Sequence, residues 1–162
     1  MRKSYWLATL LAACAAPTVR EREPQGQVAF PTGYRDWTHV KSMVVLEGHV
    51  HYDAFGGVHH VYANDKALVA LKERQPFPKG AVLVFDLLQE RMQDGAIVED
   101  ARKVTGVMEK DPGRFPDTEG WGFEDFARGD PLRGSVTDMR TQCLACHETQ
   151  RASDFVYSRY RE

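Results

Sequence analysis

A Cys-X-X-Cys-His motif lies near the C-terminal end of the chain, at Cys143-Leu144-Ala145-Cys146-His147. On a helical turn, two thiols with this spacing lie on the same side, and a histidine follows directly. This pattern attaches a c-type haem, because the thiols bond to the vinyl groups at one porphyrin edge and the imidazole binds the iron. The motif therefore predicts one covalent haem c, held by Cys143, Cys146 and His147 on a helical segment near the end of the fold.

Two other interpretations of the motif are weaker. A thiol–disulfide redox pair usually begins a helix in a strand–helix–strand unit. A zinc site needs further ligands at matching spacing. The sequence shows neither setting. The remaining cysteine, Cys14, lies near the N-terminus, so no pair is left for a structural disulfide.

The N-terminal residues are expected to be an export signal. Arg2 and Lys3 precede an apolar run that is too short to span a bilayer. The sequence 11–14 resembles the lipobox of bacterial lipoproteins, which predicts a signal peptide at 1–13 and Cys14 as the acylated mature N-terminus. The alternatives are cleavage near Ala16, or a Cys14 that lies in the apolar run by chance. The favoured interpretation predicts a periplasmic protein that is lipid-anchored to a membrane surface.

The rest of the chain is expected to form a tether at 15–29 and one haem domain at 30–162. The composition, 43% apolar and 27% charged, is that of a globular domain. The formal net charge is -2, and the basic residues do not cluster. We therefore expect no nucleic-acid partner.

Apolar periodicity predicts an α+β fold built mainly on an antiparallel sheet of about five strands. Runs of β-branched and aromatic residues predict strands at 40–52, 58–63, 81–89, 96–109 and 121–126. The sequence 53–57 is predicted to be the turn of a hairpin, and Asp94-Gly95 to be a second turn.

Helices are predicted at two places. Asn64 and Asp65 are good N-cap residues for a helix at 66–74. Thr137 or Asp138 is expected to begin the last helix, which carries the haem motif and runs to about Gln150.

The function depends on what occupies the other side of the iron. An electron-transfer cytochrome needs a sixth protein ligand, usually Met or His. Met139 is too near the motif, and the other methionines are expected to pack in strands. His59 or His60 remains a candidate distal residue. A metal site formed by these two with His49 and His51, placed together on strands, is less favoured.

The sequence as a whole resembles the cytochrome P460 family and its relative cytochrome c′-beta. The resemblance is carried by the haem motif and by five further segments, at 33–37 (GYRDW), 55–62 (FGGVHHVY), 77–82 (FPKGAV), 120–123 (GWGF) and 154–160 (DFVYSRY). It implies a mostly antiparallel β homodimer with a five-coordinate haem. The implied chemistry is either hydroxylamine oxidation or the binding of small gases.

Two departures from the family separate these chemistries. Hydroxylamine-oxidising members carry a lysine that is cross-linked to the haem edge, and Phe85 stands at the matching position. They also use a distal glutamate as a proton acceptor. The alignment places Gly106 at that position, and Glu109 is nearby but not aligned with it. The resemblance therefore implies a member without the cross-link.

The resemblance also assigns roles near the iron. Phe55 and Phe85 match positions that cap the distal face of the haem in cytochrome c′-beta. Two phenyl rings would favour NO and CO, which bind without a hydrogen-bond donor. The alternative is that both are ordinary core residues. Arg159 is expected to neutralise a haem propionate or to lie beside His147, or else to be an exposed tail residue.

The leading hypothesis is a periplasmic haem protein with a five-coordinate iron that binds NO or CO, for capture, transport or sensing. The first alternative is a haem oxidoreductase acting on hydroxylamine, NO or peroxide, with His59, His60 or Glu109 as the acid or base. The second is an electron-transfer cytochrome with a redox partner protein.

Overall fold

The computed structural model describes residues 28–161, and its centre is one antiparallel sheet. Each strand pairs with the strand that precedes it along the chain, in the order β1 to β5. The strands are β1 Thr38–Val45, β2 Gly57–Ala63, β3 Val82–Gln93, β4 Ala96–Lys110 and β5 Trp121–Ala127. The predicted five-stranded α+β fold is confirmed. The predicted signal peptide, Cys14 and most of the tether lie outside the described residues.

The strand register assigns side chains to the two faces of the sheet. Phe85 on β3 pairs with Val61 on β2 and with Gly106 on β4, and Gly106 pairs with Asp125 on β5. Directly opposite residues in an antiparallel sheet point to the same side. This row defines the Phe85 face, and the neighbouring row that contains Asp86 defines the Asp86 face.

The Phe85 face is covered by a helix and by the C-terminal segment. Helix α2 (Asp65–Glu73) is capped as predicted, because the Asn64 side chain accepts a hydrogen bond from the Ala67 N–H at 3.0 Å. Buried residues from the sheet, the helix and the C-terminal segment form one cluster, which includes Leu71, Leu83, Trp121, Phe123, Leu144 and Phe155. The haem motif is therefore anchored directly on the main core.

The Asp86 face has a smaller apolar cluster and a buried ion cluster. Asp86 is fully buried and accepts hydrogen bonds from Tyr34, Arg35 and Arg102. Burial alone would raise the pKa of Asp86, but the three donors outweigh it and hold this pKa below its usual value. The cluster ties the turn at Tyr34–Asp36 to the centre of the sheet.

The sequence prediction was wrong after Val45, where β1 ends. The chain turns at Gly48, with φ of 93°, and then forms a short helix, α1 (Tyr52–Phe55), in place of the predicted turn at 53–57. His49 and His51 therefore lie in a loop and not on a strand. Gly57 begins β2 with φ of 126°, and a Cβ there would lie 2.1 Å from the Leu88 carbonyl oxygen, so only glycine fits.

The last helix differs in geometry from the regular helix that the sequence predicted. It is π-helical at Arg140–Leu144, α-helical at Ala145–His147 and 3₁₀-helical at Glu148–Ser153. Asp138 caps its start, since its carboxylate accepts from the N–H groups of Arg140 and Thr141. A π-helical turn inside a helix often marks a functional site. No helix within residues 28–161 is long and apolar enough to cross a membrane.

Candidate haem site

The helical turns place the motif residues on one side of the C-terminal segment. Cys143 is half-buried and Cys146 is exposed, and within residues 28–161 neither thiol forms a disulfide. Leu144 between them is 2% exposed and anchors the segment in the core. Residues three or four apart on a helix are neighbours, so both sulfur atoms and the His147 ring can face one ligand.

The Cys143 thiol lies in surroundings that disfavour its ionised form. Burial raises its pKa to about 12, and the carboxyl groups of Asp125, Glu124 and Asp138 add to the effect. A thiol–disulfide redox pair needs the opposite shift, because the thiolate is the reactive species. The environment of Cys143 therefore argues against the redox interpretation of the motif.

His147 is oriented as an iron ligand needs to be. Its Nδ1 lies 2.7 Å from the Phe155 carbonyl oxygen, and because a carbonyl only accepts, Nδ1 must carry the hydrogen. The lone pair of the ring is then on Nε2, and within residues 28–161 this atom has no hydrogen-bond partner. Burial lowers the pKa of His147 although the carbonyl bond opposes this, so the ring is held neutral. Phe123 and Tyr157 pack against the ring, each with centroids 5.2 Å away.

A strained turn positions the carbonyl that orients His147. Asp154 and Phe155 both have left-handed backbone angles, with φ of 48° and 66°. The Asp154 carboxylate accepts from the Phe77 N–H at 2.8 Å and from the Lys110 Nζ at 2.7 Å, and its carbonyl accepts from Trp121 Nε1 at 2.9 Å. Strain of this kind persists only where surrounding contacts impose it, and here the result is a fixed hydrogen-bond partner for the imidazole.

The two predicted distal phenylalanines are in contact. Phe55, at the end of α1, and Phe85, on β3, have ring centroids 6.2 Å apart in an edge-to-face arrangement. Phe55 is 43% exposed and Phe85 is half-buried, so both present ring surface that the core does not cover.

Of the three predicted distal polar residues, one lies with these rings. His59 is 2% exposed on the Phe85 face, its ring packs on Phe85 at 4.7 Å, and its Nε2 donates to the Phe55 carbonyl. His60 lies on the Asp86 face and contacts Ser42 and Glu99.

Glu109 and Arg159 have other surroundings. Glu109 also lies on the Asp86 face and binds Arg114. Arg159 is exposed. Among residues 28–161, no group of three or more His, Cys, Asp or Glu is arranged to hold a metal ion.

Comparison with known protein families agrees with this arrangement. The sequence pattern of the family described as Cytochrome P460 matches residues 31–158. The chain belongs to the cytochrome P460 family. The match spans all five strands, α2 and the haem motif, and it confirms the resemblance inferred from the sequence. As a member of the family, the chain is a haem cytochrome. No curated protein matches it.

The residues of this cytochrome fit a covalently bound haem. Within residues 28–161, two thiols without a disulfide and a neutral imidazole with an unengaged Nε2 are the groups that would supply the attachment and one iron ligand. The sequence missed three residues that shape the site: Asp154, which holds the proximal turn, Phe123, which packs on His147, and Asp125, which lies beside Phe85. Asp154 and Phe123 fall in segments that carry the family resemblance, but their contacts join positions that are distant in the chain.

Proposed function

We propose that this cytochrome carries one haem c through Cys143 and Cys146, with His147 as the axial ligand, and binds NO or CO at the opposite side of the iron. The observation that carries the proposal is the pair formed by Phe55 and Phe85, which presents apolar ring surface on the same face as the haem motif. Apolar surroundings suit NO and CO, while O2 is helped by a donor.

The available protein ligands support an open iron position. Met92 is 68% exposed at the end of β3, and Met43 is 42% exposed near the edge of the sheet. The Nε2 of His59 is already engaged by the Phe55 carbonyl. Met108 lies on the Phe85 face and packs, with Met139, against the main core. A six-coordinate electron-transfer centre would need one of these methionines, or His59, to move from its present position.

One observation favours an oxidoreductase as the second candidate. The Nδ1 atom of His59 is buried and has no hydrogen-bond partner within residues 28–161. Burial lowers the pKa of His59 although the Phe55 carbonyl opposes this, so the ring is a neutral base beside Phe85. Turnover of hydroxylamine or peroxide that His59→Gln abolishes would favour this candidate.

The proposed setting is the periplasm, with an acyl anchor at Cys14, and the proposed assembly is a homodimer. The hairpin formed by β3 and β4 supports the dimer, because β2 pairs with β3 only as far as Leu88 and β5 pairs with β4 only from Val104. Beyond these positions the hairpin carries Met92 and Ile97, 68% and 39% exposed. Light scattering should give twice the mass of the mature chain, and a monomer would contradict this part of the proposal.

We expect the purified protein to be five-coordinate in the ferrous state and to bind CO. We also expect Phe85→Ala to raise the CO association rate by about tenfold, equal to about 1.4 kcal/mol, because the ring that limits access is removed. Absorption spectra with and without CO, and flash photolysis, measure both.

Met92→Ala is the matched control, since it also truncates a large apolar side chain on β3, but at the far end of the hairpin. Its CO association rate should equal that of the wild type. A six-coordinate ferrous protein that does not bind CO would contradict the proposal, as would equal rates in all three proteins.

A further inference from the structure

The Phe85 face carries one carboxyl group that the proposed gas site does not use. Asp125 lies on β5 opposite Gly106, which in turn lies opposite Phe85. Its backbone is fixed, because its N–H donates to Glu124 and its carbonyl accepts from the N–H and the hydroxyl of Ser135. The side chain therefore projects from a rigid strand toward the centre of the face.

The carboxyl group takes up space that the absent side chain of Gly106 leaves open. A Cβ built on Gly106 would lie 2.9 Å from Asp125 Oδ1 and 3.4 Å from Phe85 Cδ1. The carboxylate oxygen and the edge of the Phe85 ring thus meet above the glycine. The proximity of Asp125 also raises the pKa of the Cys143 thiol, so the carboxyl group is electrostatically close to a haem attachment point.

The other buried carboxyl groups of the sheet have structural roles, and Asp125 differs from them. Asp86 binds two arginines and a tyrosine, and Glu124 accepts from three backbone N–H groups. The Asp125 side chain has no hydrogen bond or ion pair with any residue in 28–161. Burial, and then the charge of Glu124, raises its pKa. A half-buried carboxyl group without a partner destabilises a fold, which makes it a candidate for function.

We propose that Asp125 is a proton acceptor for small weak-acid ligands that reach the haem as H–X and bind as X⁻. The H–X bond breaks, the proton passes to an Asp125 carboxylate oxygen, and the electron pair stays with X. The charge is balanced and no electron is transferred. NO and CO carry no proton, so Asp125 does not affect them. The inference rests on the proposed haem site and adds a second class of ligand to it.

Hydrogen cyanide is a suitable probe, because it arrives protonated and binds ferric haem as the anion. We expect Asp125→Asn to slow cyanide association with the ferric holoprotein by about a hundredfold, the scale of general-base assistance. The rate of CO association with the ferrous protein should stay within about twofold of the wild type. Stopped-flow absorption at the Soret band measures both rates.

Two further variants separate proton acceptance from a structural effect. Asp100→Asn changes an exposed carboxyl group on β4 and should leave both rates unchanged. In Asp125→Ala/Gly106→Asp the Asp125 carboxyl group, which is the closest obstacle to a side chain at 106, is removed. The new aspartate on β4 places a carboxyl group in the same space. This double variant should recover most of the cyanide rate, whereas Asp125→Ala alone should not.

Each outcome decides the inference. Unchanged cyanide association in Asp125→Asn overturns it, and so does an equal loss of the CO rate, which indicates a disturbed pocket. A wild-type protein that binds cyanide but not CO contradicts the proposed gas binding, while the proton acceptor is still judged by the cyanide rates. A wild-type protein that binds neither contradicts both.

Discussion

Cys143→Ser/Cys146→Ser is expected to yield a mature chain without covalently bound haem. A thioether needs a thiol to add to each vinyl group, and a hydroxyl group does not replace it in this reaction. The third cysteine, Cys14, is not part of a Cys-X-X-Cys-His motif, so we do not expect it to take over the attachment. We therefore expect complete loss of covalent haem in the double variant, and a reduced amount in either single variant.

Intact-protein mass spectrometry and extraction with acidified organic solvent measure this result. The wild-type chain should carry the added mass of one haem, and its colour should stay with the protein on extraction. Cys14→Ser is the matched control. It should keep the wild-type haem content, and its release from the membrane fraction would report the loss of the acyl anchor. Covalent haem in the double variant, or none in the wild type, would contradict the proposed attachment.

Most of the fold could be predicted because the sheet is a simple meander. Each strand pairs with its neighbour in sequence, so local patterns of apolar residues and turns such as Asp94-Gly95 were sufficient. The error at 46–51 arose because His49, Val50 and His51 continue the alternation of β1. Gly48, with φ of 93°, turns the chain after β1 ends. A glycine inside a strand pattern can mark such a break, but the continued alternation favoured one long strand.

The residues proposed to attach the haem could be identified from the sequence because they are contiguous. Phe55 and Phe85 were identified only through the family resemblance, since no periodicity relates positions on a short helix and a central strand. Asp125 could not be found in either way. Its proposed role depends on the pairing of β4 with β5, which places its carboxyl group above Gly106, and on the absence of a partner among residues 28–161.

The ion cluster on the Asp86 face allows a second strong prediction, which concerns stability. Arg102 donates to both oxygens of Asp86, at 2.6 and 3.2 Å, while Arg35 and Tyr34 donate to one oxygen. In Arg102→Met the carboxylate stays fully buried and keeps only these two donors. Removing one partner of a buried charge is strongly destabilising, so we expect a loss of about 3 kcal/mol in the free energy of unfolding.

The stability lost in Arg102→Met should depend on pH and become smaller as the pH falls. In the wild type the pKa of Asp86 is lowered on folding, so its contribution to stability is complete above the unfolded value of about 4 and is lost as the pH falls through the folded value. In Arg102→Met a donor is gone and burial remains, so the pKa of Asp86 is higher. The difference between the two proteins should therefore shrink below about pH 4, where protonation removes the buried charge in the variant.

Urea unfolding at several pH values tests this prediction, with Arg91→Met as the control. Arg91 pairs with Asp100 at 3.7 Å, and both side chains are about half exposed, so its loss should change stability by less than about 0.5 kcal/mol. Asp86→Asn/Arg102→Met should regain part of the stability, because the buried carboxylate that lost the Arg102 donor is then replaced by a neutral amide. If Arg102→Met is as stable as Arg91→Met, or if its deficit is the same at pH 7 and pH 3, the carboxylate of Asp86 does not depend on Arg102 as the geometry requires.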